Sequence, residues 1–326
     1  MEAFRIARLS FELEALDPIS LPSYKGSTFR GGFGHAFKKS SCALRLRECD
    51  SCLLREKCAY SYVFETPPPS DTAIMRKYPR APHPFVLEPP EEERSLYRPG
   101  EPIVFGLTLI GRAIEYLPYF IYSFNLLGEM GMGRGKGRFT LKRVRALTHP
   151  PASQTTAERR EHAPPIYDGE SKKLNMVPLS VAWQDLLEER PPPPDDRITI
   201  SFRTPTRIRY NGRLTLELEF HVLIRNLLRR ISTLSYFHCG ESLEVDFRSL
   251  IERAEGIVSE DRHLRWHDWE RYSGRQDTRL KMGGFVGSVS FRGDVESFWP
   301  YLVLGRAVHV GKGTAFGLGR YEISGS

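Results

Sequence analysis

Four of the chain's five cysteines stand within one short stretch, at positions where thiols could hold a metal ion. Two of them form a Cys-x-x-Cys knuckle, with one further cysteine on either side. Four thiolates at short spacing suit tetrahedral zinc, and an iron–sulfur cluster takes the same ligand set. Because four protein ligands leave no open coordination position, such a metal would be structural and not catalytic. The predicted ligands are Cys42, Cys49, Cys52 and Cys58.

The spacing of these cysteines matches neither the usual zinc pattern nor the usual iron–sulfur pattern closely, and zinc is the preferred interpretation. The alternative is a small loop with four reduced thiols. Disulfides are not expected, because the chain is predicted to be cytoplasmic, where thiols are kept reduced. The fifth cysteine, Cys239, is predicted to be a buried hydrophobic residue.

A second group of reactive side chains lies on a predicted helix from Thr28 to Lys39. Its apolar residues fall on one face at about 100° per residue: Phe29, Phe33, Ala36 and Phe37. The opposite face carries His35, Lys38 and Lys39. Histidine can carry a proton near neutral pH, and lysine can stabilise developing charge on a phosphate. The alternative is a solvated basic face, which is the commoner setting of a histidine near lysines.

The formal net charge of +7 favours a polyanionic partner, and its distribution is informative. The stretch from Arg197 to Arg213 is rich in arginine and contains no acidic residue. Arginine fits phosphate geometry better than lysine does. The stretch is therefore predicted to bind RNA through Arg203, Arg207, Arg209 and Arg213.

A glycine-rich loop near the C-terminus is the fourth candidate site. It lacks the Lys-Ser/Thr ending of a P-loop, and it leads into a strand instead of opening a helix, so nucleotide binding is not favoured. Glycine allows another backbone to approach closely, and here that backbone could be RNA. The predicted contacts are Gly311, Lys312, Gly313, Gly317, Gly319 and Arg320. The alternative is a tight structural turn.

An internal repeat organises the elements that must position these residues. One half contains Pro118-Tyr119-Phe120, Leu126-Leu127-Gly128 and a glycine-rich run from Gly131 to Phe139. The other contains Pro300-Tyr301-Leu302, Leu304-Gly305 and a glycine-rich run from Gly311 to Tyr321. Both patterns indicate a helix, a glycine-rich loop and a strand. Two copies of one plan predict two similar domains.

The periodicity of apolar residues predicts the remaining elements. Strands are expected at Phe4 to Leu16, Ile103 to Ile110, Phe139 to Val144, Ile198 to Phe202, Gly284 to Phe291 and Arg320 to Ile323. Further helices are expected at Gly111 to Leu127, Leu214 to Leu234 and Val295 to Leu304. Helices on an antiparallel sheet in this order indicate an α+β fold of two tandem ferredoxin-like (RRM-like) domains, with a cysteine-rich insertion in the first.

The domain boundaries follow from proline content. The first domain is expected at residues 1–149 and the second at residues 197–326, joined by a proline-rich linker, 150–196, with a short helix near Val181 to Glu189. Pro67 to Pro102 is expected to be a long loop. No run approaches the roughly 18 apolar residues of a membrane span, so no membrane partner is expected.

Three segments resemble a known family, the CRISPR-associated RAMP endoribonucleases that process precursor crRNA. Val310 to Ile323 is similar to the closing glycine-rich motif of that family. The segment from Phe202 to Arg207, with Leu223 to Leu234, resembles the start of the family's second domain. Gly26 to Gly31 is similar to a motif shared across RAMP proteins, and it adds Arg30 to the predicted RNA contacts.

The resemblance implies tandem ferredoxin-like folds that bind CRISPR repeat RNA and cut it without a catalytic metal. It implies attack by the 2′-hydroxyl, leaving a 2′,3′-cyclic phosphate and a 5′-hydroxyl. It places catalysis on His35, with Tyr24 and Lys38 or Lys39 beside it. Subunits of a CRISPR effector complex are further expected partners. The alternatives are a RAMP subunit that holds crRNA without cutting it, and a zinc-containing interaction module without RNA chemistry.

Overall fold

A computed structural model of the chain describes residues 3–44, 48–69, 71–72, 74–75, 78–147, 165–175, 178–188, 190–193, 196–273 and 278–325. The chain forms two compact units. The N-terminal unit comprises Glu2–Ala182 and Tyr236–Glu241, and the C-terminal unit comprises Trp183–Ser235 and Ser242–Ser326. Of the predicted linker, residues 150–196, the first part, 150–164, lies outside the described residues, as do 176–177, 189 and 194–195.

The N-terminal unit is a helix-covered antiparallel sheet. Its strands are β1 (Arg5–Ala15), β2 (Ile19–Ser20), β3 (Phe85–Glu88), β4 (Leu96–Tyr97), β5 (Pro102–Ile110), β6 (Phe139–Ala146), β7 (Pro165–Asp168), β8 (Lys173–Leu174) and β9 (Val181–Ala182). Its helices are α1 (Gly26–Ser41), a π-helical turn (Ser61–Glu65), a 3-10 helix (Gly111–Tyr116) and α2 (Leu117–Met130). Over the described residues the main sheet has the order β3-β5-β1-β6-β7-β8, with β9 beside β1.

The aromatic stripe of α1 forms the centre of this unit's core. Phe29, Phe33 and Phe37 are completely buried. The ring of Phe33 stacks on that of Phe124 in α2, with centroids 4.7 Å apart and planes 6° from parallel. The helix and its buried face, predicted from the apolar spacing, are therefore confirmed, and the polar face is turned the other way.

The C-terminal unit repeats the plan. Its strands are β10 (Arg197–Thr206), β11 (Arg209–Tyr210), β12 (Arg213–Leu214), β13 (Val258–His267), β14 (Glu270–Ser273), β15 (Thr278–Lys281), β16 (Gly284–Arg292) and β17 (Tyr321–Gly325). Its α-helices are α3 (Trp183–Glu188), α4 (Phe220–Leu234), α5 (Phe247–Glu255) and α6 (Trp299–Val308), with 3-10 helices at Glu296–Phe298 and Thr314–Phe316. In its described part the main sheet has the order β13-β16-β10-β17.

The strand orders of the two sheets correspond. In each unit a strand, a helix, two strands, a helix and a closing strand follow one another along the chain. In each sheet the first strand lies between the third and the fourth, and the second strand lies outside the third: β3-β5-β1-β6 and β13-β16-β10-β17. This is the ferredoxin-like arrangement. The predicted fold class of two tandem ferredoxin-like domains is confirmed.

Helix α4 begins later than the sequence analysis predicted. The expectation was a helix from Leu214, but α4 starts at Phe220. The preceding residues form the β11–β12 hairpin, whose turn residues Asn211 and Gly212 have φ values of 49° and 81°. Asn-Gly is a strong signal for a two-residue hairpin turn, because both positions favour positive φ. That signal was missed.

Two segments expected to lack regular strands also contribute strands. Within Pro67 to Pro102, strand β3 pairs with β5 and buries Phe85, Val86 and Leu87. Within residues 150–196, β7 pairs with β6, and β9 pairs with β1. The short helix expected near Val181 to Glu189 is present as α3, and Glu189 lies outside the described residues. None of the helices in the described part of the chain combines the length and the apolar character that crossing a membrane requires.

Candidate catalytic face and nucleic-acid interface

Helix α1 presents a basic face opposite its buried stripe. His35 and Lys39 are exposed on it, and Lys38 is half-buried, with its Nζ 5.1 Å from the centre of the Tyr60 ring. Both lysines lie in the last turn of the helix, where a cation also interacts favourably with the helix dipole. The structure thus brings three of the predicted catalytic residues to one side of one rigid element.

The start of α1 is anchored by a buried lysine. Lys25 is 1% exposed, and its Nζ donates a hydrogen bond to the backbone carbonyl of Glu92. Burial lowers the pKa of Lys25, although the negative charge of Glu92 acts in the opposite direction. This contact fixes the end of the helix that lies nearly three turns before His35.

Other histidines that could compete with His35 for a catalytic role are buried. His238 is 6% exposed, its Nε2 donates to the Pro82 carbonyl at 2.7 Å, and its Nδ1 lies 3.2 Å from the Tyr62 hydroxyl. His309 is completely buried, and its Nδ1 donates to the Leu318 carbonyl at 3.1 Å. Neither ring is presented to solvent, whereas that of His35 is.

The two other residues predicted at the start of this helix are less available. Tyr24 is half-buried, and burial raises the pKa of its hydroxyl, so it stays protonated and can donate a hydrogen bond but cannot act as a base. The guanidinium of Arg30 lies 4.9 Å from the centre of the Phe64 ring and donates to His83 Nε2 at 3.2 Å. Arg30 therefore already has contacts within the N-terminal unit.

The four clustered cysteines are half-buried and reduced. Burial raises the pKa of Cys49, Lys38 lowers it, and Glu65, Cys42 and Cys58 raise it further. In the described part of the chain, no three or more His, Cys, Asp or Glu side chains already form a metal-binding arrangement. The donor chemistry suits zinc, but the sulfurs do not stand in a ligand geometry, so metal binding stays a prediction.

The C-terminal unit gathers the predicted basic residues at the end of β10. Arg209 and Arg213 are exposed on the β11–β12 hairpin. Arg207 is half-buried, and its Nη1 donates to the Gly283 carbonyl at 3.1 Å. Burial, and then the nearby charge of Arg209, lower the pKa of Arg207. By contrast, the Nε and Nη2 of Arg203 donate to one carboxylate oxygen of Glu322 at 3.0 and 2.7 Å.

The C-terminal glycine-rich loop docks on the same end of β10. The backbone N–H of Lys312 donates to the Arg207 carbonyl at 3.0 Å, which places the exposed lysine beside the arginines. Gly311 has a φ of +83°, and a Cβ there would lie 2.6 Å from that carbonyl oxygen. A Cβ at Gly319 would lie 1.8 Å from the Val310 carbonyl oxygen. These glycines are required by the protein's own backbone.

The remaining loop residues complete this docking. Gly313 and Gly317, with φ values of +81° and +85°, flank the 3-10 helix Thr314–Phe316. The side chain of Thr204 links loop and strand, donating to the Gly317 carbonyl at 2.8 Å and accepting from the Arg320 N–H at 3.0 Å. The loop is thus a rigid support for Lys312, and RNA contact by its glycines stays a prediction.

The sequence analysis missed two features of the basic surfaces. Tyr210 is 37% exposed in the hairpin, and the centre of its ring lies 5.6 Å from that of His221. An exposed aromatic ring beside arginines can stack on a base. In the N-terminal unit, Arg134 and Lys136 are exposed on the other glycine-rich loop. The signal for this second loop was the internal repeat itself.

Comparison with known families decides the identity of the chain. Residues 4–178 match a family model described as the AF_1859_N N-terminal domain. Residues 200–321 match the model described as CRISPR-associated endoribonuclease Cas6. The chain belongs to the family of the AF_1859_N N-terminal domain, and its C-terminal part is similar to Cas6 endoribonucleases. The resemblance to CRISPR-associated RAMP endoribonucleases, stated from three sequence motifs, is confirmed.

Individual relatives of this chain are distant. A protein of Archaeoglobus fulgidus described as uncharacterized is 32% identical over 114 residues, which cover 34% of this chain and 37% of that protein. A Cas6 product complex has a TM-score of 0.59 at 18% identity, covering 98% of this chain and 100% of that chain. A partial Cas6-RT-Cas1–Cas2 complex has a TM-score of 0.58 at 14% identity, covering 99% of this chain and 46% of that chain. At these identities the structures show a common fold.

Proposed function

We propose that this protein is an endoribonuclease that binds CRISPR repeat RNA and cuts it without a catalytic metal. The family model matched by its second half carries the description of an endoribonuclease. One of the similar structures is described as a product complex, which is consistent with an RNA-processing role for this fold. The products are proposed to carry a 2′,3′-cyclic phosphate and a 5′-hydroxyl.

The observation that carries the proposal is the basic face of α1. An exposed imidazole, His35, is held on a helix whose other face is locked by stacked phenylalanines. Lys38 and Lys39 follow it by three and four residues, which places them on the same face. A proton carrier and two cations on a rigid element are the groups that phosphodiester cleavage needs.

In the proposed reaction the ribose 2′-hydroxyl attacks the adjacent phosphorus, and the bond from phosphorus to the 5′-oxygen breaks. One proton must leave the 2′-oxygen and one must reach the departing 5′-oxygen. His35 is proposed to perform one of these two transfers, because a positioned imidazole can act as general base or general acid near neutral pH. Lys38 or Lys39 is proposed to stabilise the negative charge that develops on the phosphate oxygens. Tyr24, which stays protonated, is limited to donating a hydrogen bond.

The C-terminal unit is proposed to supply much of the binding. Arg209, Arg213 and Lys312 are exposed together at the end of β10, and Tyr210 between them offers a ring for base stacking. Arginines and lysines attract the RNA backbone, because each neutralised phosphate releases condensed counterions. Gly311 and Gly319 act indirectly in this proposal by holding the loop against β10.

The proposed partners are the repeat RNA, the crRNA product and subunits of a CRISPR effector complex. The resemblance stated from the sequence implies the RNA partners. A complex that contains Cas6, RT, Cas1 and Cas2 includes a chain with the same fold, which supports association with other CRISPR proteins. The chain aligns with 37% of the length of the curated relative that it matches.

Cleavage of labelled repeat RNA in the presence of EDTA tests the proposal. We expect a single main cut, with a product that carries a cyclic phosphate. A repeat RNA with a 2′-deoxy nucleotide at the cut position should bind normally and stay intact, because the attacking hydroxyl is absent. Cutting of that deoxy RNA at the normal rate, or dependence of cutting on added metal, would contradict the proposed chemistry.

A second candidate function is a RAMP subunit that binds crRNA without cutting it. The observation that favours it is the setting of His35, because no described residue donates to its ring or accepts a hydrogen bond from it. A catalytic imidazole is commonly oriented by a hydrogen bond to its second nitrogen. Binding of repeat RNA with no cleavage under any condition would support this candidate.

A further inference from the structure

In the segment between α1 and the π-helical turn, the cysteines are partly shielded from solvent, whereas nearly all the other residues are exposed. Within the described residues 42–44 and 48–58, the side chains that are not exposed are those of Cys42, Cys49, Cys52, Arg55 and Cys58. The leucines point to solvent instead: Leu44 is 42% exposed, Leu53 is 84% exposed and Leu54 is 36% exposed. This segment therefore has no apolar core of its own, and its half-buried positions are the cysteines.

The backbone of the segment is a succession of turns. The N–H of Cys52 donates to the Cys49 carbonyl at 3.2 Å, and the N–H of Arg55 donates to the Cys52 carbonyl at 3.0 Å. A hydrogen bond of this kind contributes about 1 kcal/mol net, whereas ordering one residue's backbone costs about 1–2 kcal/mol. On these figures the local hydrogen bonds contribute less free energy than the ordering of the backbone costs.

The first and the last of the four cysteines adjoin the two helical elements that flank the segment. Cys42 directly follows α1, and its N–H donates to the Lys38 carbonyl at 2.9 Å. The carbonyl of Cys58 accepts from the Tyr62 N–H at 3.0 Å, at the start of the turn that carries Phe64. The Phe64 ring in turn packs on Phe37 of α1, with centroids 5.5 Å apart. The ends of the segment are thus already held near each other.

We propose that Cys42, Cys49, Cys52 and Cys58 form one four-thiolate site for a thiophilic metal, with zinc as its occupant. Metal binding draws the sulfurs to about 2.3 Å from the ion, and the exposed turns can accommodate that closure. The site ties the C-terminal end of α1 to the segment that carries Tyr60 and Phe64. It stabilises the basic face that includes Lys38 and takes no part in proton transfer.

The first test is the metal content of the full chain purified without chelator. We expect about one zinc per chain, as four thiolates form one tetrahedral site. Iron with matching acid-labile sulfide and visible absorbance would support the four-thiolate site and show that an iron–sulfur cluster occupies it, which would overturn zinc as the occupant. Well-folded protein that contains neither metal would overturn the proposal. Because the readout is metal content, a negative result here leaves the proposed RNA cleavage standing, and the reverse also holds.

The second test separates these cysteines from the fifth one. The double variant Cys49→Ser/Cys52→Ser should lose the metal and melt at a markedly lower temperature, because metal binding at a structural site contributes folding free energy. Cys239→Ser is the matched control and should keep the metal, since burial raises the pKa of that thiol to about 11 and it lies outside the segment. Unchanged metal content in the double variant would refute the site.

A third measurement covers the case in which the double variant does not fold. Cobalt(II) exchanged into the wild-type chain should give the visible bands of tetrahedral cobalt bound by thiolates. An octahedral spectrum, or no bound cobalt, would overturn the proposal without any substitution.

Discussion

The two glycine-rich loops dock in the same way but on segments of different charge. In the N-terminal unit the N–H of Arg134 donates to the Ser20 carbonyl at 2.9 Å, and in the C-terminal unit that of Lys312 donates to the Arg207 carbonyl at 3.0 Å. In both units, the accepting residue follows the first strand. The repeat in the sequence therefore encodes a repeated backbone contact between loop and strand end.

The side chains around this shared contact differ. The segment after β1 carries Asp17, whose carboxylate accepts from the Arg138 Nε at 2.8 Å. The segment after β10 carries Arg207 and Arg209 instead. One backbone arrangement thus sets an Asp17–Arg138 ion pair beside the loop in the first unit and two further arginines beside the loop in the second. With His35 in the N-terminal unit, we predict that this unit cleaves the RNA and that the C-terminal unit makes most of the phosphate contacts.

The largest expected effect tests the chemical half of that division. His35→Ala should lower the cleavage rate by about 10²- to 10⁴-fold, the usual contribution of a general acid or base. Its affinity for repeat RNA should stay close to that of the wild type, because one exposed side chain supplies little of the binding. Single-turnover cleavage and a gel-shift titration measure the two quantities separately.

The control for this variant is His267→Ala, which removes an exposed histidine from β13 of the C-terminal unit. It should cut at the normal rate. Lys38→Ala or Lys39→Ala should slow cleavage less than His35→Ala does, through weaker charge stabilisation. If His35→Ala protein cuts repeat RNA normally, the catalytic assignment is wrong and the search moves to other histidines.

The next largest effect tests why the loops are glycine-rich. Gly135 and Gly319 both have positive φ, +88° and +76°, but only at Gly319 would a Cβ meet backbone, at 1.8 Å from the Val310 carbonyl oxygen. Gly135→Ala should therefore cost only the left-handed backbone penalty of about 1–2 kcal/mol. Gly319→Ala should cost more, because the loop must also move.

Urea unfolding of the two variants measures this difference. Equal losses would mean that the close approach at Gly319 relaxes without cost. A Gly319→Ala variant that keeps its stability but loses RNA affinity would instead favour direct RNA contact by the glycine.

The third effect compares the two basic surfaces directly. Arg209→Ala/Lys312→Ala should weaken RNA binding and reduce the slope of log K against log salt by about 0.7–0.9 for each lost phosphate contact. The matched variant Arg134→Ala/Lys136→Ala removes two exposed cations from the N-terminal loop and should change the slope less. A larger change in the second variant would reverse the proposed division of binding between the units.

The fold was largely predictable because its signals are periodic. The apolar stripe of α1 and the buried strand β5 both followed from spacing alone. Strand β3 was missed because Pro67 to Pro102 is dominated by prolines, while its pairing with β5 depends on tertiary contact. Helix α5 and strand β13 also lay between recognised motifs without being predicted.

The candidate site was only partly predictable, because the sequence shows where a residue stands in the chain but not which distant residue its side chain contacts. The face that holds His35 and Lys38 followed from helical geometry. The engagement of Arg30 with Phe64 and of Arg203 with Glu322 did not, since each pairing joins residues far apart in the chain. The basic stretch therefore combines exposed cations with arginines whose guanidinium groups already form hydrogen bonds within the protein.

The smallest expected effect concerns one of those engaged arginines. Arg203 was predicted to bind RNA, but Glu322 accepts two hydrogen bonds from its guanidinium. Burial raises the pKa of Glu322, while the hydrogen bond and charge of Arg203, with further help from Arg320, outweigh it and leave that pKa lowered. A lowered pKa means that the pair adds stability above the unfolded-state pKa, and that this stability is lost as pH falls through the folded-state value.

An exposed ion pair of this kind contributes about 0.2–1 kcal/mol, so Glu322→Gln should cost little stability near neutral pH and nothing in acid. The substitution removes a negative charge beside Arg203 and should strengthen RNA binding by at most about fivefold, the equivalent of about 1 kcal/mol.

Asp17→Asn, which frees Arg138 in the N-terminal unit, is the matched change and should leave RNA affinity unchanged. If neither variant alters binding and Arg203→Ala also binds normally, Arg203 belongs to the fold and not to the RNA surface. If Asp17→Asn strengthens binding as much as Glu322→Gln does, both loops contact RNA and the difference in charge between them does not decide where RNA binds.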